Sequence, residues 1–247
     1  MHSPYGFHTV ENCTTCPLRR HRQFCRLPEP VIAALNAIKQ TSVYPKGALL
    51  FTEGQDPKGV FILCTGKAKV STGSAEGKIV ILRIAEAGEI LGLSGVVSDR
   101  PYENTVEALE LMQVNFIPKT DFLRFLATNQ EIGLKVVQQL SHNCSCAVEE
   151  IRSLALSRTV PERLATLLLQ WVDSRKAQIQ EDGSIQITVG SSQEDIAHMI
   201  GTTRETVSRI IAKLKRAEVV KIIGTFWTIS DRTKLERYRH TLRRSRQ

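Results

Sequence analysis

Between residues 43 and 117 the apolar positions come in short runs rich in Val, Ile, Leu and Phe, interrupted by Gly47, Gly54, Gly66, Gly77, Gly88 and Gly92. Stretches such as ALLFTEG, GVFILCTGKAKV and KIVILRIAEAGEILGL leave roughly ten residues between turn signals, the texture of an antiparallel barrel or jelly roll. Ahead of this region, Val31, Ile32, Leu35 and Ile38 recur at helical spacing and predict an amphipathic helix leading into it. Behind it, TDFLRFLATN reads as a helix, and Asn129 stands where it can cap a longer one running to Ser157. Along that helix Val137, Leu140, Cys144, Ala147, Ile151 and Leu154 alternate at a and d positions. Such a seam predicts a dimer interface, with a single helix docked on its own domain as the alternative.

Pro161 opens a further apolar helix to Lys176, with Leu164, Leu167, Leu168 and Trp171 expected inward. Next, Asp182-Gly183 precedes alternating Ile185, Ile187 and Val189, which predicts a turn and a strand. Residues 193–216, QEDIAHMIGTTRETVSRIIAKLKR, then fit a helix-turn-helix position by position. Ala197 is small where two helices must approach, Gly201 falls at the turn, and Thr203 offers an N-cap to a second helix beginning at Arg204. Ile196, Ile200, Val207 and Ile210 share one apolar face. The opposite face of the second helix carries Arg204, Glu205, Ser208 and Arg209, and N-terminal residues of such a helix reach base edges in the major groove. Thr203 and Gln193, at the starts of the two helices, complete the candidate DNA contacts. VVKIIGTFWTI supplies two strands around Gly224, a wing, and Asp231 can cap a last helix before the basic tail RHTLRRSRQ.

Charge sharpens this picture. Residues 1–151 hold fifteen Lys and Arg against fifteen Asp and Glu, and residues 152–247 hold eighteen against ten, so the whole net charge of +8 lies C-terminal. That asymmetry points to nucleic acid. Length and composition suit two ordinary domains. The expected boundaries are a cysteine-containing segment at 1–28, a β-roll sensor domain at 29–128 and a dimerisation helix at 129–157. A winged helix-turn-helix at 158–235 and a basic tail at 236–247 follow. No run of eighteen apolar residues and no secretory leader is present, which predicts a cytoplasmic protein without a membrane partner. The sequence has no G-x-S-x-G, H-E-x-x-H or P-loop, and its six histidines are scattered, so no enzymatic activity is expected.

The six cysteines, in such a chain, read as thiols, metal ligands or redox groups rather than as disulfides. Cys13-x-x-Cys16 is followed after eight residues by Cys25, amid Arg19, Arg20, Arg22 and Arg26, which are expected to lower the thiol pKa values and favour thiolate.

A glycine-punctuated β-roll, a long heptad-bearing helix and a C-terminal winged helix with RETVSR on its reading helix give an α+β architecture. In that order the parts resemble the Crp/Fnr superfamily of bacterial transcription regulators. The resemblance implies a homodimer that binds double-stranded promoter DNA and acts on RNA polymerase. It implies DNA reading through an acidic residue and an arginine four positions later, here Glu205 and Arg209. Arg204 matches the cyclic-AMP receptor branch and Ser208 the fumarate-nitrate reduction branch, which leaves the half-site open between the two. Cyclic AMP is not expected as a ligand: the glutamate position of the family's nucleotide site falls on Leu93, and its Arg-Ser pair near Tyr102 and Glu103. Arg100, between Asp99 and Pro101, is no substitute.

Cys13, Cys16 and Cys25 resemble the cysteine run with which the oxygen-sensing branch holds a four-iron four-sulfur cluster, although the second gap is longer here. Asn115 occupies the place of that branch's fourth cysteine, so an iron-sulfur cluster needs Cys64, His8, a carboxylate or water instead. Thiol redox chemistry without metal, a zinc site and a merely structural segment remain open beside it. The implied function is a DNA-binding regulator controlled by a signal sensed N-terminally, oxygen or redox state through a cluster. The alternative is a regulator that answers to a cyclic nucleotide or another small ligand and holds no metal.

Overall fold

The runs between glycines fold as eight short strands, and their period-2 alternation decides what each side faces. A computed structural model describes residues 9–22, 24–73, 79–156, 159–173 and 177–240, with the side chains of 149–156 and 238–240 left aside. In chain order come α1 (Glu29–Ile38), β1 (Gln40–Tyr44), β2 (Leu49–Phe51), β3 (Gly59–Thr65), β4 (Lys67–Gly73), β5 (Ile79–Glu86), β6 (Ile90–Leu91), α2 (Leu93–Ser98), β7 (Thr105–Ala108), β8 (Met112–Pro118), α3 (Lys119–Thr128) and α4 (Gln130–Leu156). Two antiparallel sheets result, ordered β1-β8-β3-β6 and β2-β7-β4-β5. Strand β3 shows how the core divides. Phe61 and Leu63 join a cluster drawn from both sheets with Val70, Leu91, Val106 and Val114, while Val60 and Ile62 face the other way, into a cluster with Phe24, Leu27, Ile32, Leu35 and Phe122. Both faces of β3 are therefore buried, which is why its sequence is continuously apolar. At the turn into β4, Gly66 has φ +85°, and a Cβ there would lie 2.6 Å from the Met112 Cβ, so only glycine fits.

The residues before α1 are part of this packing. Val10 and Gln113 exchange two hydrogen bonds, Val10 N–H to Gln113 Oε1 (2.9 Å) and Gln113 Nε2 to the Val10 carbonyl (2.7 Å). Cys13 N–H donates to Asn36 Oδ1 at 2.9 Å, and Phe24 and Leu27 are buried among the α1 side chains. These bonds lay the cysteine segment against β8 and α1.

Asn129 departs from expectation. Its side-chain amide donates back to the Phe125 carbonyl (2.9 Å) and to Thr128 Oγ1 (3.0 Å), closing α3, and only its backbone carbonyl accepts the Ile132 N–H of the next helix. The long helix α4 has two apolar faces. Ile132, Val136 and Leu140, spaced by four, pack on the β-roll's outer cluster, so Leu140 is half-buried against its own domain rather than free in the expected seam. Leu134 (64% exposed) and Val137 (60%) form an open apolar stripe on another side of the helix, whereas Ala147, though exposed, lies on the Leu140 side and, with Cys144, lines a cavity of the β-roll. The side chains of Ile151 and Leu154 lie outside the described residues.

A second compact unit begins at Val148. Its first helix beyond α4 is α5 (Val160–Asp173), opened by a reciprocal cap in which Thr159 N–H donates to Glu162 Oε2 (3.3 Å) and Glu162 N–H to Thr159 Oγ1 (3.4 Å). Leu164 and Leu168 are buried as expected, but Leu167 and Trp171 are only half-buried, and Leu169 and Val172 take the inner positions instead. The apolar face is wide enough that its centre could not be fixed by periodicity alone. Strands β9 (Gln178–Ile179), β10 (Ile185–Thr188), β11 (Val220–Ile223) and β12 (Phe226–Ile229) form one sheet ordered β11-β12-β10-β9, around α6 (Gln193–Met199) and α7 (Arg204–Arg216). Asp231 Oδ1 accepts the Thr233 N–H at 2.7 Å at the start of α8 (Arg232–His240). The tail from residue 241 lies outside the described residues. No helix among the described residues is long and apolar enough to cross a membrane.

Candidate nucleic-acid interface and thiol site

The helix pair α6–α7 is built by local chemistry. Ser192 and Asp195 form a full capping box at the start of α6: Asp195 N–H donates to Ser192 Oγ (3.1 Å) and Ser192 N–H to Asp195 Oδ2 (2.9 Å). Gly201 holds the turn at φ +61°, and Thr203 Oγ1 accepts the Thr206 N–H at 3.4 Å to open α7. Val207, Ile210, Ile211 and Leu214 are buried, which turns Arg204, Glu205, Ser208 and Arg209 outward together with Lys213. Thr203 is exposed beside them, and Gln193 is half-buried at the first position of α6. The Glu205 carboxyl is held below its ordinary pKa by its own backbone N–H, by the Thr203 hydroxyl and by the nearby Arg204 charge. Ionised, it can only accept hydrogen bonds, with Arg204 before it and Arg209 one turn on. The wing hairpin β11–β12 turns at Gly224 and exposes Ile223 and Phe226 at its tip.

Sequence reasoning missed one residue of this unit. Arg163 on α5 donates from Nε to the Ile200 carbonyl (2.6 Å) and from Nη2 to the Gly201 carbonyl (3.3 Å), so a guanidinium fork holds the turn of the helix pair. Those carbonyls close α6, where a cation is favoured. Arg163 lies 37 residues before Ile200, and nothing local marks the pairing.

In the first unit, Cys13, Cys16 and Cys25 are joined by Cys64 of β3: all four line one small cavity of about 30 Å³. Cys64 falls at a bulge, where the β3–β8 register slips between Leu63 and Thr65. Asn115 does not stand in as a ligand, since its amide nitrogen points to Cys13 Sγ at 3.5 Å and its oxygen accepts from Thr41 Oγ1 at 2.9 Å. His8 lies outside the described residues. The expectation of lowered thiol pKa values is reversed. Burial pushes Cys25 up to about 12 and Cys64 up to about 12, and it raises Cys13 as well. Arg22 lowers Cys25 without overcoming that burial, Arg19 is engaged by Glu29 at 2.8 Å, and Arg20 and Arg26 face solvent. Among the described residues, no three Cys, His, Asp or Glu side chains are already gathered on one point as metal ligands.

A cavity of about 320 Å³ is lined by Val70, Arg83, Ser94, Asn104 and, from α4, Leu140, Cys144 and Ala147; Leu93, Tyr102 and Glu103, the positions to which the resemblance assigns nucleotide contacts, line it too. Leu93 is buried in the core, and the Tyr102 ring stacks on Phe51 (3.9 Å between centroids) while its hydroxyl donates to the Gly59 carbonyl at 2.6 Å. Glu103 accepts from Ser94 Oγ at 3.1 Å, Arg83 is paired with Glu89, and Arg100 is exposed. Phosphate entering here meets a carboxylate and an arginine already engaged.

The chain matches two family models: a cyclic nucleotide-binding domain over residues 41–129 and a Crp-like helix-turn-helix domain over residues 162–238. It is 25% identical over 206 residues to the CRP-like cAMP-activated global transcriptional regulator of Mycobacterium tuberculosis, covering 83% of this chain and 91% of that protein. To the cAMP-activated global transcriptional regulator CRP of Haemophilus influenzae it is 25% identical over 185 residues, covering 73% and 80%. Among solved structures, FixK2 from Bradyrhizobium japonicum matches with a TM-score of 0.69 at 20% identity, covering 81% of this chain and 97% of that one. A CooA mutant from Carboxydothermus hydrogenoformans matches with a TM-score of 0.70 at 24% identity, covering 82% and 88%. These structural likenesses carry the fold.

Proposed function

The chain belongs to the Crp/Fnr superfamily of DNA-binding transcription regulators, and on that premise we propose that it reads a palindromic promoter site as a homodimer and answers to oxygen or redox state through an iron-sulfur cluster. The observation that carries the reading of DNA is the outward face of α7, where Arg204, Glu205, Ser208 and Arg209 share one side of a helix capped by Thr203. The exposed stripe of α4 supports the dimer, and RNA polymerase is the partner whose activity such a bound dimer changes. The protein works in the cytoplasm and needs no catalytic step of its own.

The signal enters at the thiol site. Its donors are four sulfurs that line one cavity without being gathered on one point, a set whose chemistry suits a thiophilic metal or cluster, and a bound cluster would supply the oxygen and redox sensitivity. The β-roll cavity with Glu103 and a paired Arg83 does not favour a cyclic phosphate. That cavity's size nonetheless supports a second reading, in which an uncharged small ligand binds between the roll and α4 without any metal.

Mobility shifts on promoter DNA, with protein isolated without oxygen, test both. Under the main reading the protein is brown, binds specifically, and loses both properties in air, while cyclic AMP changes nothing. Colourless protein whose DNA binding is indifferent to air would leave the ligand reading in its place.

A further inference from the structure

The three cysteines of the N-terminal segment lack the fourth partner that the resemblance would put at position 115, and the fold supplies another. Strand β3 pairs with β8 so that Ile62 lies opposite Asn115, and period-2 alternation puts Cys64 on the same side as Val60 and Ile62, where it lines the cavity of the cysteine segment. The four thiols line one cavity together with Arg22 and Asn115. A set of four sulfurs without imidazole or carboxylate suits zinc or an iron-sulfur cluster and excludes hard cations.

A second observation points to an anion in the same cavity. Arg22 lines it, its Nη1 donates to the Ala87 carbonyl at 3.1 Å, and its Nε–H is buried with no acceptor. A buried guanidinium N–H without an acceptor is costly. Four thiolates around a dipositive metal or cluster core keep the site anionic, and a ligated sulfur is the acceptor that Arg22 lacks. Asn115, with its amide already on Cys13 Sγ, serves the same end.

We propose that Cys64 is the fourth thiolate of a metal centre completed by Cys13, Cys16 and Cys25, with Arg22 and Asn115 as N–H donors to its sulfurs. The ligand position held by a cysteine on β8 in the oxygen-sensing branch has thus moved one strand over, and Asn115 is left as a supporting donor. Three ligands come from the segment and one from the sheet, so the metal clamps the segment to the β-roll. The identity of the occupant rests on the iron-sulfur reading above; the ligand set does not.

The full-length chain, purified without oxygen, decides the matter through iron, acid-labile sulfide and zinc content and through visible absorption. Wild type and the control Cys146→Ser are expected to carry the same metal load. Cys64→Ser is expected to lose it to chelator more than about a hundredfold faster, beyond what a lost outer hydrogen bond does, and Asn115→Cys in that background to restore it. In wild type, iodoacetamide should spare Cys64 until the metal is chelated, a readout that needs no variant. Zinc without sulfide, lost in Cys64→Ser, keeps the four-thiolate site and removes the iron-sulfur reading. Iron and sulfide held equally by Cys64→Ser and wild type, with Cys64 alkylated in loaded protein, overturns the proposal and spares that reading. Failure of wild type to take up iron and sulfide or zinc overturns both.

Discussion

Arg209 and Glu205 stand one turn apart on the outer face of α7 and make different demands on a base pair. Arg209 offers a fork of donors suited to guanine O6 and N7, whereas Glu205, kept ionised by its own N–H and by Thr203, can only accept, as from a cytosine amino group. Arg209→Ala is therefore expected to weaken the specific site by about 1–3 kcal/mol and random DNA much less. Glu205→Ala should relax preference at one base pair. Competition binding with single-base variants measures both, and an equal loss of Arg209→Ala on specific and random DNA would falsify base reading by this residue. The two sites were not equally legible at this scale. The reading residues follow from spacing within one helix. Of the thiols, Cys13, Cys16 and Cys25 announce themselves by proximity in sequence, but Cys64 lies some forty residues further on, and only the packing of the segment against that face of β3 brings it to them. The direction of the Cys13 shift was also hidden, because the sequence displays four arginines and not the Phe24, Leu27 and Ile32 packing that buries this thiol.

At the scale of elements, the helix-turn-helix was legible because its determinants are local: a cap, a glycine with positive φ, and apolar residues at helical spacing. What holds its turn is not local. Arg163 reaches from α5 to the carbonyls of Ile200 and Gly201, ties the two helices to the rest of their unit, and satisfies the negative end of α6. Arg163→Ala is expected to destabilise this unit by about 1–3 kcal/mol, the range for hydrogen bonds to a charged group with some solvent screening. Arg163→Lys should recover only part, since an ammonium cannot fork to two carbonyls. The chain's two tryptophans, Trp171 and Trp227, both lie in this unit, so urea unfolding followed by their fluorescence reports on it alone. An unchanged midpoint for Arg163→Ala would reduce the fork to a surface contact. The long helix was harder to read. A heptad pattern accommodates two apolar stripes, and only the packing of Ile132, Val136 and Leu140 on the β-roll separates the face already used from the face left open.

For the whole molecule, the open stripe on α4 and the reading face on α7 make sense together only in a dimer. Leu134 and Val137 are apolar and solvent-facing on a helix whose other side is already committed, and in the proposed dimer a second copy of the same stripe would cover them symmetrically. Two reading helices then present themselves about one DNA turn apart, so the site should be a palindrome with half-site centres separated by roughly 10–10.5 base pairs. Val137 is the residue to change, because it is exposed in the single chain and its substitution leaves the β-roll core alone. Val137→Glu is expected to release folded monomers, seen by sedimentation, and to abolish specific binding while preserving the weak, salt-sensitive attraction of the basic C-terminal half for any duplex. Leu140→Glu should behave differently, unsettling the β-roll itself, since Leu140 packs against its outer cluster. A Val137→Glu monomer that still protected both half-sites at wild-type affinity would separate DNA reading from dimerisation and leave the stripe without a role.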